Sequence, residues 1–220
     1  MLGAQYDRDV SEQSSASARA QLPRGVHALS REEVVASQRG RLMLAMAEVV
    51  AEKGYAATSV ADVLKRAGVS RVSFYEHFAN KEACFAATYD IVTQELTRGV
   101  SAAIASDGEP VERASNALRA YLETLAGEPD LARIFLIDSH GAGPEMLERR
   151  FAIHRLAADV MIGNLGATTD GQRLACESFV GAIVALVSTR IMVGDVDGVR
   201  ALHSPIMKLG LAVWGSFDEL

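Results

Sequence analysis

Between Gly68 and Phe85 the chain reads GVSRVSFYEHFANKEACF, a stretch that places Arg71, Ser73, Tyr75, His77 and Lys81 among Phe74 and Phe78. A helix buried on all sides would carry apolar residues there, whereas here hydrogen-bond donors stand between the aromatics. An arginine can fork onto the O6 and N7 acceptors of guanine, while hydroxyl and imidazole groups reach phosphate oxygens. Lys81 stands where a helix N-terminus begins, and free backbone amides and the helix dipole there add to its attraction for a phosphate. Hydrolytic chemistry has no such support. The chain has no GxSxG, no HExxH, no phosphate-cradling glycine loop and no GxGxxG after a strand. Asp138, Ser139 and His140 are consecutive, so a helix would point them in different directions rather than assemble a triad. His140 and His154 lie fourteen residues apart across a GAGP break, and Cys84 and Cys176 lack metal-ligand spacing, so no metal or cofactor is expected and both thiols read as buried and reduced.

Such a face needs elements to present it. Ser30 with Glu33 forms a possible capping box, and Val35, Leu42, Met46 and Val49 mark one side of a helix ending near Gly54, with a possible break near Ser37. Thr58 and Ser59 are rival N-caps for a short helix, SVADVLKRA, which turns Val60, Val63, Leu64 and Ala67 inward and closes at Gly68. Ser70 caps a third helix over about 71–78, and Asn80 caps a fourth that starts at Lys81 and runs past Ile104. Two short helices joined by Gly-Val-Ser after a longer one make a helix-turn-helix. Val63, Ala67, Val69, Phe74 and Phe78 hold the pair, leaving Arg71, Val72, Ser73, Tyr75, Glu76 and His77 outside for a major groove.

Residues 41–85, RLMLAMAEVVAEKGYAATSVADVLKRAGVSRVSFYEHFANKEACF, resemble the N-terminal domain of the TetR family of bacterial transcriptional repressors. The resemblance rests on EKGY at the end of the first helix, the Thr-Ser start of the second, AGVS at the turn, FYxHF and the following KE, about a fifth of the chain. It implies that Tyr75, His77, Lys81 and one of Thr58 or Ser59 clamp the DNA backbone, and that Arg71 and Ser73 read bases. Val72 departs toward an apolar residue suited to a thymine methyl, and Cys84 stands where leucine is common. The full expected DNA-facing set is Arg39, Arg41, Thr58, Ser59, Ser70, Arg71, Val72, Ser73, Tyr75, His77 and Lys81.

The formal charge of −6 is uneven: residues 1–30 balance to zero, 31–82 to +1 and 83–220 to −7. Only the helix-turn-helix segment has a positive balance, which permits DNA binding there and disfavours a DNA-architectural protein without an effector. No apolar run is read as approaching the ~20 residues of a membrane helix, and the first residues lack the cations and apolar stretch of a signal peptide, so a cytoplasmic protein is expected.

From 83 to 220, breaks at GEP (108–110), GEPD (127–130), GAGP (141–144), GATTDG (166–171) and GDVDG (194–198) divide an all-α body into about five helices. In the family this body binds a small effector and makes the dimer. A stripe of small residues, Ala175, Ser178, Ala182, Ala185 and Thr189, and a stripe of large ones, Leu202, Ile206, Leu209, Val213 and then Phe217, suit a four-helix seam between two chains. Pro205 after Ser204 opens the last helix. Polar and aromatic residues within apolar faces, Tyr89, Tyr121, Phe135, His140, Phe151, His154 and Asn164, are the candidates for a small-molecule pocket.

The expected organisation is a mobile arm at 1–29, a three-helix DNA-binding domain at 30–80 and a helical effector-binding and dimerisation domain at 81–220. The expected function is a ligand-responsive transcriptional regulator, more a repressor than an activator, that binds a palindromic operator as a homodimer. Arg19 and Arg24 would let the arm enter a minor groove, or the arm has no function. The alternatives are an effector-independent architectural protein or a helical enzyme carrying a DNA-binding domain.

Overall fold

The computed structural model describes residues 37–215. The expected arm, the Ser30 capping box, Val35 and Phe217 lie outside the described residues. The described chain is helical without strands. Its helices are α1 (Gln38–Lys53), α2 (Val60–Ala67), α3 (Arg71–His77), α4 (Lys81–Ile104), α5 (Pro110–Gly127) and α6 (Pro129–Leu136), a 3-10 turn at Asp138–Gly141, then α7 (Pro144–Leu165), α8 (Asp170–Met192), α9 (Val196–Ala201) and α10 (His203–Gly215).

The starts follow from local chemistry. Ser37 caps α1 by accepting from Gly40 N–H, so the described helix begins where a break was expected. Ser59 caps α2 in a reciprocal capping box with Asp62, which settles its rivalry with Thr58. Ser70 and Asn80 cap α3 and α4 as expected. Gly68 ends α2 at φ 62°, a left-handed backbone that costs glycine little and sets the turn into α3.

One core runs through the molecule. Leu42, Met46 and Val50 of α1 pack with Val63, Phe74 and Phe78 on one side and with Phe85 and Tyr89 of α4 on the other. Cys84 Sγ donates to Leu42 O and Thr88 Oγ1 to Met43 O, so the first turns of α4 serve α1 as much as the body. Behind them α4 lies along α5, α7 packs on α8, and α9 and α10 close against α5 and α8.

The body holds more elements than the sequence suggested. Seven α-helices follow α3, because α6 has eight residues and α9 six, too few to show a clear period. The last helix begins at His203, with Pro205 inside its first turn. α8 is, contrary to expectation, long and apolar enough by length and composition to cross a membrane. Its charged residues, Asp170, Arg173, Glu177 and Arg190, gather toward its two ends, and only Cys176, Val180, Val187 and Ile191 are buried.

Candidate nucleic-acid interface

α3 stands proud of the core. Phe74 is buried and anchors it, with Tyr75 edge-on at 5.3 Å and Phe78 at 5.8 Å between ring centroids. The opposite face exposes Arg71, Glu76, His77, Val72 at 71% and Tyr75 at 51%. Ser73 is half-buried, and Ser70 Oγ both accepts from its N–H and donates to its hydroxyl, each at 3.1 Å. The two serines therefore fix the first turn of α3 and keep one hydroxyl oxygen beside Arg71. This exposed, donor-rich, one-sided helix has the shape that enters a major groove N-terminus first.

Around α3 the expected cations divide by environment. Arg39 is exposed and lays its guanidinium 4.9 Å over the Phe78 ring, with one nitrogen 3.2 Å from Met43 Sδ. Arg41 is half-buried and its Nε is enclosed with no partner among the described residues. Lys81 is not a solvated cap. Its Nζ donates to Tyr55 O at 3.3 Å and Thr58 O at 3.1 Å and sits 4.0 Å over the Tyr55 ring, tying the α1–α2 loop to the start of α4. Arg66 is occupied by Glu48 and Glu52 of α1, and Lys53 by Asp62, so these charges brace α1 against α2.

Thr58 is corrected. It is 3% exposed, and its hydroxyl donates to Gly54 O at 2.8 Å, so it closes the loop internally and presents nothing to a phosphate. Ser59 is exposed, but its hydroxyl is shared between Asp62 N–H and the Asp62 carboxylate.

The expected effector residues separate in the same way. Tyr89 and Phe135 stack at 5.5 Å in the core, and burial pushes the Tyr89 phenol up to about 12. Tyr121, close enough to Tyr89 for their phenols to interact, is raised further by burial, and its hydroxyl is enclosed without a partner among the described residues. His154 is half-buried; burial first, then the charges of Arg150 and His140, hold its pKa below 6.5. His140 itself is exposed in the 3-10 turn, its Nδ1 3.1 Å from Ile137 O. Phe151 points away, 51% exposed. Asn164 is a brace: it accepts from Arg113 Nε at 2.9 Å and donates to Pro110 O at 2.8 Å, joining α5 to α7. Phe151 and Asn164 therefore drop out of the pocket, because one faces solvent and the other has its amide committed.

The dimer residues also divide. Ser178, Ala182, Ala185 and Thr189 are exposed along α8, and Leu209 and Val213 are exposed on α10, while Ala175 is half-buried. Leu202 and Ile206 are corrected: at 4% and 3% exposure they fill the protomer's own core.

Three residues hold roles that the sequence did not show. Asp138 Oδ1 accepts from Tyr55 N–H at 3.1 Å, which fastens the 3-10 turn to the α1–α2 loop. Arg150, 6% exposed, donates through one nitrogen to Phe135 O, Leu136 O and Ser139 Oγ at 2.8–3.2 Å. Tyr55 donates its hydroxyl to Glu82 and holds Lys81, joining all of these to the start of α4. Arginine is a surface residue by default, so nothing local marks Arg150 as buried.

Comparison with known proteins agrees with this geometry. Residues 42–88 match the model of bacterial regulatory proteins of the tetR family. The repressor DhaR of Mycobacterium sp. is 33% identical over 92 residues, 41% of this chain and 46% of that one. The activator FasR of Mycolicibacterium smegmatis is 26% identical over 109 residues, half of each chain. The chain thus spans about half the length of these curated relatives. The structure of FadR from Bacillus subtilis in complex with stearoyl-CoA superposes with a TM-score of 0.64 at 21% identity, covering 77% of this chain and 96% of that one, a likeness of fold. The helices around α3 thus match the tetR family over residues 42–88, and the all-α body shares the fold of solved regulators.

Proposed function

We propose that the protein is a homodimeric transcriptional regulator whose residues 30–80 bind a palindromic operator and whose residues 81–220 pair two chains and bind a small effector that weakens the grip on DNA. The observation that carries the reading is the outer face of α3, where Arg71, Val72, Tyr75 and His77 stand exposed on a helix anchored by Phe74. Arg71 reads guanine, Val72 meets a thymine methyl, and Tyr75, His77 and Arg39 hold phosphates. The body is built for partnership and control rather than turnover. α8 and α10 expose Leu174, Leu186, Leu209 and Val213 beside the small-residue stripe, the makings of an isologous seam.

Control follows from the connection between domains. The 3-10 turn accepts Arg150 at Ser139 and holds the Tyr55 N–H at Asp138, and Tyr55 O in turn accepts Lys81. An effector that shifts α7 acts through this turn on the loop that positions α3. The coupling equals the effector's preference for one arrangement over the other. One curated relative is named an activator and another a repressor. Release by an effector with an apolar body is favoured, in keeping with the stearoyl-CoA held by the Bacillus subtilis FadR fold.

Selection from a pool of random duplexes tests the reading. Enrichment of a palindrome bound in mobility-shift titrations supports it, and Arg71→Ala should relax preference at one base pair per half-site. An enriched pool without symmetry, or a base-preference matrix that ignores Arg71, would refute it.

A further inference from the structure

We infer that the effector is an apolar molecule with a single carboxylate, and that the carboxylate seats on Arg150 and Tyr121 between α5 and α7. The inference rests on the reading above and specifies the chemistry of the ligand.

A guanidinium removed from water calls for an anion, since burying an unpaired charge is costly. Arg150 is 6% exposed and has no carboxylate within ion-pair distance among the described residues. The nearby acids are engaged elsewhere: Asp90 binds Arg149 at 2.8 Å, and Asp138 faces Arg133 and Tyr55. Among the described residues only one Arg150 nitrogen is spent, on the C-terminal carbonyls of α6 and on Ser139. Tyr121 adds an enclosed phenol O–H without a partner among the described residues, although its residue as a whole keeps some accessible surface. A buried donor left without an acceptor is the counterpart of the unpaired cation, and one carboxylate satisfies both. One guanidinium matches a monoanion better than a phosphate dianion.

The room for the rest of the molecule follows the same seam. Arg150, His154, Ala158, Met161 and Leu165 recur at helical spacing on one face of α7. Met161 and Leu165 line an apolar cavity with Val111 and Ala114 of α5 and Phe179 of α8. From Arg150 to Met161 the seam is roughly 16 Å long at the helical rise, the reach of one unbranched molecule with its head at Arg150, but the cavity at its far end is only about 90 Å³ and must widen to take a chain. Seating the chain parts α5 from α7. The head draws on the residue that also holds Ser139, which brings binding to bear on the 3-10 turn.

Binding of saturated fatty acids, from octanoate to hexadecanoate, should be compared by calorimetry on the full chain with their matched alcohols and their coenzyme A thioesters. At least one acid should bind ten-fold or more tightly than both its alcohol and its thioester. Tyr121→Phe should weaken that acid several-fold while raising the melting temperature, because it removes an enclosed hydroxyl that has no partner among the described residues. Arg150→Lys should retain part of the affinity. His154, followed by NMR titration, should rise in pKa when the acid is bound. If no acid outbinds its alcohol, or a thioester binds best, or Tyr121→Phe binds the acid unchanged, the assignment is wrong. The selected duplex separates the two readings. An acid that binds through Tyr121 yet leaves operator affinity unaltered keeps the site and refutes effector control. Release of DNA by a neutral alcohol keeps the regulator and refutes the site.

Discussion

Lys81 serves two parts of the fold at once, and its replacement separates them. Lys81→Ala removes two charge-assisted bonds to loop carbonyls, costing about 1 kcal/mol of stability after discount for its partial exposure. Thermal melting should register that loss. Mobility shifts should show equal weakening on every sequence with a salt slope reduced by about one; an unchanged slope would leave Lys81 as a loop clamp alone. Arg71→Ala should act differently, costing about 1–3 kcal/mol on the best operator only. His154 supplies a pH effect with a definite sign. Its folded pKa lies below 6.5 through burial and the Arg150 charge, so the unfolded chain takes up the proton first. Stability is then full above about 6.5 and falls as the pH drops toward the folded value. His154→Gln should flatten urea midpoints across that window, and a profile identical to the parent's would show that His154 titrates normally. The α3 face was legible in the sequence because seven residues with Phe74 inward leave little choice for Arg71, Tyr75 and His77. Thr58 and Arg150 were not, since their burial depends on the Gly54 carbonyl and the end of α6, which only the packed structure brings to them.

Helix boundaries were marked by glycine, proline and capping hydroxyls, so α2, α3 and α4 start where Ser59, Ser70 and Asn80 place them. Short elements escaped: α9 has six residues and the 3-10 turn four, fewer than two helical periods. The seating of α10 on α8 escaped as well. A Cβ at Gly210 would lie 2.9 Å from Phe179 Cζ, so glycine there lets the two helices approach. Gly210→Ala should force them apart at a cost of about 1–3 kcal/mol, measurable as a lower denaturation midpoint. No change in midpoint would mean that Phe179 swings aside freely. The same variant should weaken pairing of two chains, because α8 and α10 carry the proposed seam together.

At the scale of the whole molecule, α8 is an apolar helix whose Ser178, Ala182, Ala185 and Thr189 face outward in a single chain. The stripe was legible as a small-residue face, but Leu202 and Ile206 were misplaced because periodicity cannot tell a seam between chains from the core of one. Ala182→Glu leaves the protomer intact, since the position is exposed, and sets a carboxylate against its own symmetry mate. Light scattering should report a monomer with unchanged helical circular dichroism; a persistent dimer would move the seam to α10 alone. The most direct test of paired reading is a hydroxyl-radical footprint of the full chain on its selected duplex at physiological salt. Two protected patches related by a dyad and separated by about one helical turn or slightly more are the predicted result, with both lost together in Ala182→Glu. A single unsymmetrical patch, or protection by Ala182→Glu equal to that of the parent, would contradict a pair of α3 helices acting as one.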